Sequence, residues 1–108
     1  MTILQSFKFF EESNAPVESN ILSNIKGEEM IIQAGSIAGA FKINVYTRTD
    51  IENGSYVKTQ LIGRSPTMEL FDDISSEGIY SLSISGIREV KLELVSGSLV
   101  NAFATIVG

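Results

Sequence analysis

The side chains that could do chemistry in this sequence are mainly carboxylates, because the chain contains no histidine and no cysteine. Acidic residues occur as neighbours at Glu11-Glu12, Glu28-Glu29 and Asp72-Asp73. A glycosidase needs two carboxylates that face each other across a sugar, whereas neighbours on a strand point to opposite faces. Ser-His-Asp and Cys-His arrangements require histidine. We therefore predict that the chain is not an enzyme and has no catalytic residues.

Two other patterns bear on metal and cofactor binding. Asp72-Asp73 lies beside a predicted turn and could offer oxygen ligands to calcium, but the chain has no Asp-x-Asp-x-Asp-Gly loop. Residues 35–39 read Gly-Ser-Ile-Ala-Gly, which lacks the Gly-Lys-Ser/Thr ending of a phosphate-binding loop and precedes a predicted strand. We interpret this segment as a tight turn between two strands. The sequence predicts no metal site and no cofactor.

Three tyrosines raise the alternative of a carbohydrate-binding module, because aromatic faces suit the C–H groups of sugars. They are Tyr46, Tyr56 and Tyr80, and the chain has no tryptophan, the usual anchor of such sites. Tyr80 lies in phase with Leu82 and Ile84, so its ring is predicted to lie in the core. Carbohydrate stays a possible partner.

Composition limits the remaining partners. A chain of 108 residues with 44% hydrophobic residues is predicted to form a single domain, residues 1–108. The net charge of −5 disfavours nucleic acid and anionic membranes, so neither is expected as a partner. The first residues lack a basic segment followed by a long apolar one, as a signal peptide would have. We expect the protein to be made and folded in the cytoplasm.

The elements that would position these side chains are β-strands. Residues 41–47, 80–85 and 90–94 alternate between apolar and polar types, the pattern of a strand with one buried face. Weaker candidates bring the total to about eight strands: residues 3–10, 29–34, 56–62, 67–71 and 98–107. We therefore predict an all-β fold, an antiparallel β-sandwich with either a jelly-roll-like or an immunoglobulin-like strand order.

The connections between these strands can also be predicted. Asn53-Gly54 favours a tight hairpin, because both central residues of a type I′ turn need positive φ. Residues 11–23, which include a proline, are predicted to form a long loop.

The C-terminal strand differs from the others because residues 94–108 contain no charged side chain. An exposed edge strand normally carries charges or proline that block pairing with other chains. This strand is therefore either central and buried on both sides, or part of a subunit interface, and both can hold. The candidate assembly interface consists of its apolar residues: Leu99, Val100, Ala102, Phe103, Ala104 and Ile106.

The order of several segments resembles a class of small β-sandwich structural proteins of tailed bacteriophages and prophages. The similarity covers residues ~35 to 107 and is carried by Gly35 to Gly39, Phe41 to Tyr46, Gly54-Ser55-Tyr56, Glu77 to Ile87, Arg88 to Leu94 and Ser96-Gly97-Ser98. The similarity lies in the order and type of the segments and includes no catalytic motif, so it assigns no functional residue in this sequence. In that class the outer positions held here by Lys91 and Glu93 are often basic or polar.

The resemblance implies a virion structural protein, either a head, neck or tail component or a decoration protein. Such a protein would form a homo-oligomer, contact other virion proteins and end in the virion after folding in the host cytoplasm. The alternative from a different class is the carbohydrate-binding module, serving attachment to a host surface.

Overall fold

The computed structural model describes residues 2–49, 52, 54–64 and 68–108. This part of the chain contains no helix long and apolar enough to cross a membrane. Its regular elements are eleven strands: β1 (Ile3–Ser13), β2 (Val17–Glu18), β3 (Leu22–Ser23), β4 (Glu29–Ser36), β5 (Lys42–Arg48), β6 (Val57–Lys58), β7 (Leu61–Gly63), β8 (Glu69–Phe71), β9 (Gly78–Ser83), β10 (Glu89–Ser96) and β11 (Val100–Val107). The predicted Asn53-Gly54 hairpin and the start of the strand predicted at residue 67 involve positions outside the described residues.

The strands form two antiparallel sheets that pack against each other. One sheet has the order β1-β11-β4-β9-β7-β8, and the other has the order β2-β10-β5-β6, with β3 also paired to β10. The predicted antiparallel β-sandwich is therefore confirmed. The first and last strands are neighbours, and the chain crosses repeatedly between the sheets. With β1-β11-β4-β9 over β2-β10-β5-β6, this is the order of an eight-stranded jelly roll, extended at one edge by the β7–β8 hairpin.

The core lies between the sheets and is built by the alternation seen in the sequence. Ile43 and Val45 of β5 point inward together with Leu92 of β10, and all three side chains are fully buried. Ile32 of β4 and Leu82 of β9 are buried from the opposite sheet. Because apolar residues alternate with polar ones, each strand places its apolar side chains in one shared core.

Two predicted segments differ from the structure. Residues 56–62 were expected to form one strand, but β6 belongs to one sheet and β7 to the other. The predicted long loop over residues 11–23 contains the end of β1 as well as β2 and β3. The physical reason is length, since two-residue strands are too short to show period-two alternation and owe their conformation to pairing with β5 or β10.

Strand β1 is an edge of the larger sheet and carries the features that protect an edge. Lys8, Glu11 and Glu12 are exposed along it, and its pairing with β11 shifts register at three places. Charges and bulges of this kind disfavour pairing with another chain. The neighbouring β11 is covered on both sides by hydrogen-bonded strands and can therefore be uncharged.

Candidate assembly surface

The structure divides the predicted assembly residues into two groups. Val100, Ala102, Ala104 and Ile106 point into the core of the protomer and are buried. Their side chains pack between the two sheets, so they cannot also contact a second copy. The sequence left two explanations for the lack of charge in β11, a central strand or a subunit interface. The central position of β11 in the sheet supports the first explanation.

Leu99 and Phe103 are the two predicted assembly residues that face solvent. Leu99, at the entrance to β11, is 36% exposed, and Phe103, on the outer face of the larger sheet, is 40% exposed. Phe103 lies opposite Gln33 of β4 and Lys8 of β1, and the Lys8 ammonium is 5.8 Å from the centroid of its ring. The candidate surface narrows to these two side chains and their surroundings.

Leu99 belongs to one end of the sandwich, which we call the uncharged tip: residues 14–17, 35–41 and 95–99. None of these residues carries a charge. Residues 14–17 and 95–99 are joined by a backbone hydrogen bond, in which the Ala15 amide donates to the Gly97 carbonyl over 2.9 Å. The Leu99 amide donates to Oδ1 of Asn14 over 3.0 Å. The uncharged tip is therefore a preformed surface in which separate loops hold one another in place.

The turn between β4 and β5 is fixed within this tip. The Ser36 hydroxyl donates to the Ser98 carbonyl and accepts a hydrogen bond from the Ala38 amide. The predicted tight turn between two strands is present at residues 37–39, with Gly39 at φ +119°, whereas Gly35 and Ser36 belong to the end of β4. Ile37 at its apex is 83% exposed, more than any other large apolar side chain in the described part of the chain. An apolar residue at a turn apex is the sequence signal that could have identified this surface.

The tyrosines predicted as a possible sugar platform are split between core and surface. Tyr80 is buried and packs edge-on against Phe71, with the ring centroids 5.7 Å apart. Its hydroxyl donates a hydrogen bond to the Ser76 carbonyl over 2.8 Å. This confirms its predicted core position. Tyr46 and Tyr56 are partly exposed and lie together on the outer side of the smaller sheet.

Cationic side chains of the same chain already lie over the rings of these two tyrosines. The Lys91 ammonium is 4.5 Å from the Tyr56 centroid and 5.9 Å from the Tyr46 centroid. The guanidinium carbon of Arg48 is also 4.5 Å from the Tyr56 centroid. A sugar could stack on Tyr56 only if at least one of these cations moved, which disfavours an open platform.

Carboxylates complete this cluster of polar side chains. Oε1 of Glu89 accepts hydrogen bonds from the Tyr56 hydroxyl at 2.8 Å and from Nε of Arg48 at 2.7 Å. Oε1 of Glu93 accepts from the Tyr46 hydroxyl at 3.1 Å. These groups join β5, β10 and the segment before β6 across the outer face of the sheet. The arrangement stabilises the pairing of these strands.

The Glu89 cluster predicts a pH dependence of stability. The hydrogen bond from Tyr56 and the adjacent Arg48 guanidinium hold the pKa of the Glu89 carboxyl below its usual value, despite an opposing effect of burial. A carboxyl whose folded pKa is lowered stabilises the fold above its unfolded pKa, and this contribution is lost as the pH falls through the folded pKa. We expect Glu89→Gln to lower the free energy of unfolding near neutral pH, with the difference from wild type shrinking as the pH falls below about 4.

Urea denaturation across this pH range measures that difference. Glu11→Gln is the matched control, because Glu11 pairs with Lys8 at 3.4 Å on the exposed surface, where such pairs contribute little. If the free energy of unfolding of Glu89→Gln differs from that of the wild type by the same amount down to pH 3, the lowered pKa of Glu89 is contradicted. At the alkaline end, burial and the hydrogen bond to Glu89 raise the pKa of Tyr56, so the stability that Tyr56 contributes is lost only above its usual titration range.

Four of the six carboxylates in the acidic pairs contact a cation or an amide of the same chain: Glu11 contacts Lys8, Glu29 contacts Arg64, Asp72 contacts Gln60, and Asp73 contacts Lys42. Within the described residues, no three side chains of the metal-binding types lie close enough together to hold a metal ion.

Comparison with known proteins gives one informative similarity. No protein-family model matches the chain, and no curated protein matches it by sequence. Among solved structures, the fold is similar to the crystal structure of the SPBc2 prophage-derived protein YomS, with a TM-score of 0.84 and 21% sequence identity. The similarity covers 96% of this chain and 92% of that chain. At this identity, the likeness establishes that the two proteins share a fold over nearly their whole lengths.

Proposed function

We propose that the chain is a non-enzymatic structural protein of a bacteriophage or prophage virion, and that it acts by self-assembly and by contact with other virion proteins. The observation that carries the proposal is the shared fold with a prophage-derived protein, which extends over nearly all of both chains. The resemblance of residues ~35 to 107 to small phage structural proteins supports it independently. Jelly rolls are also a recurrent fold of viral capsid subunits.

The side-chain chemistry is consistent with this proposal. The chain has no histidine and no cysteine, and two of its carboxylates, Glu89 and Glu93, are used in hydrogen bonds with tyrosines of other segments. What the surface offers a partner is shape and apolar area, at the uncharged tip and around Phe103. Proteins of this kind bind through complementary surfaces and form symmetric assemblies.

Two measurements test the proposal. Sedimentation velocity on the purified protein is expected to show a defined homo-oligomer. If it shows a monomer instead, the protein is expected to oligomerise only on the particle. Mass spectrometry of purified particles from a phage that encodes the chain is expected to find it in fixed copy number. A protein that stays monomeric at millimolar concentration and is absent from the particles would contradict the proposal.

The second candidate function is carbohydrate binding during attachment to a host surface. It is favoured by the placement of Tyr46 and Tyr56 on one side of a jelly-roll sheet, a fold that lectins also use. The cations over their rings count against it. A glycan array tests this function, and binding that is lost in Tyr46→Ala and Tyr56→Ala would support it over self-assembly.

A further inference from the structure

We propose that the uncharged tip is the surface through which two copies of this chain meet, with Ile37 of each copy seated in a hollow beside Gly35 of the other. The inference rests on the proposed self-assembly and adds to it the surface and the partner. It is carried by the projecting Ile37, the adjacent hollow and the distribution of charge.

The projecting part of the contact is Ile37. Its side chain is 83% exposed at the apex of the turn between β4 and β5. The turn itself is held by the two hydrogen bonds of Ser36, one to the Ala38 amide and one to the Ser98 carbonyl. Because the backbone beneath Ile37 is already ordered, little conformational entropy is lost when the side chain is buried by a partner.

The receiving part is a hollow of about 500 Å³ on the outer face of the larger sheet. Its walls include Phe103, Gln33, Asn101 and Glu77, and Gly35, which has no side chain, lies at its floor. A Cβ at Gly35 would lie 3.1 Å from Cγ of Glu77, so the Glu77 side chain already packs closely beside this glycine. Glycine inside a strand weakens the strand and often marks a place where another group approaches the backbone closely.

The projection and the hollow are side by side on one molecule, because Ile37 itself forms part of the rim. A two-fold axis needs such an arrangement, in which residue i of one copy contacts residue j of the other and the reverse contact is identical. An apolar side chain that enters a pocket at the centre of a contact is also the usual source of binding energy.

Charge favours a second copy at this surface over other surfaces of the same chain. Each molecule carries a net charge of −5, so two copies repel each other. The tip is built from segments with no charged residue, and Glu77 is the one charged side chain among the residues that line the hollow, so contact there brings few charges of like sign together. A cationic partner or a nucleic acid would be expected to select charged side chains instead.

Sedimentation equilibrium with a set of variants tests the proposal. Ile37→Glu places a charge in the contact, and Gly35→Val fills the hollow. Each is expected to weaken self-association at least about tenfold. The matched control is Val57→Glu, because Val57 is also an exposed apolar residue but lies on β6, at the edge of the smaller sheet. It is expected to associate like the wild type.

The outcomes separate this inference from the proposed function. If the wild type associates and Ile37→Glu associates equally well, the tip is not the contact, whereas self-assembly stands. If the wild type is monomeric at all concentrations, the tip contact is overturned, and the proposed function is overturned with it only if the protein is also absent from the particles. Unchanged thermal unfolding of Ile37→Glu is expected, because the side chain is exposed, and it ensures that lost association is not lost folding.

A cross-linking experiment gives a second and independent test. The chain contains no cysteine, so single cysteines can be introduced without background. Mixing Ile37→Cys with Phe103→Cys under mild oxidation is expected to give a disulfide-linked dimer on a non-reducing gel, because the contact brings these positions together. Val57→Cys mixed with Phe103→Cys is the control. Equal yields from both mixtures would overturn the proposal.

Discussion

Replacing Ile106 with alanine is expected to lower the free energy of unfolding by about 2–5 kcal/mol, the range for deleting a large buried aliphatic side chain. Ile106 is fully buried on β11, which lies between β1 and β4, and its neighbours cannot collapse freely onto the space left behind. Small domains are stable by only about 5–15 kcal/mol, so this loss is a large part of the total.

The measurement is urea denaturation followed by circular dichroism, with Ile37→Ala as the control. Ile37 is the same residue type but is 83% exposed, so its truncation is expected to change stability by less than about 0.5 kcal/mol. Measuring association of both variants adds a second comparison. Ile106→Ala that unfolds like the wild type but fails to associate would show that β11 serves an interface and not the core.

Gly97→Ala is expected to destabilise the protein by about 2–4 kcal/mol, through backbone strain and steric overlap together. Gly97 has φ +115°, a conformation that residues with a side chain rarely adopt. A Cβ at this position would also lie 2.5 Å from Cβ of Phe41 and 3.0 Å from its Cα. Phe41 is buried in the core, so it cannot move away without disturbing the packing.

Gly39→Ala separates the two contributions. Gly39 has nearly the same backbone conformation, φ +119°, but no atom lies within 4 Å of the position its Cβ would take. It is expected to show the strain alone, about 1–2 kcal/mol. Thermal or urea unfolding of the two variants measures the difference. Equal destabilisation would mean that Phe41 relaxes and that the overlap has no energetic effect.

The sequence predicts much of the fold, because the longer strands alternate over five or more residues. Residues 41–47, 80–85 and 90–94 alternate clearly and correspond to β5, β9 and β10. Tyr80 could be assigned to the core from its phase alone. The jelly-roll order could not be predicted, because it depends on pairing between strands that are distant in sequence, such as β1 with β11.

The candidate assembly surface could be predicted less well. A central strand and a subunit interface both select uncharged residues, so the composition of residues 94–108 is compatible with either. In the structure, Val100 and Ile106 belong to the core, whereas Leu99 and Phe103 face solvent. Ile37 was not predicted, because its significance depends on loops from three parts of the chain meeting at one end of the sandwich.

The pairing of β1 with β11 also has a consequence for how the protein is made. Strand β1 is an edge strand whose hydrogen-bonded neighbour is β11, and β11 in turn separates β1 from β4. Residues up to 107 must therefore be synthesised and leave the ribosome before the larger sheet can close. Translation proceeds at about 5–20 residues per second, so the apolar side chains of β1 stay exposed for several seconds before β11 is made. During that time, the cell must keep the nascent chain from aggregating.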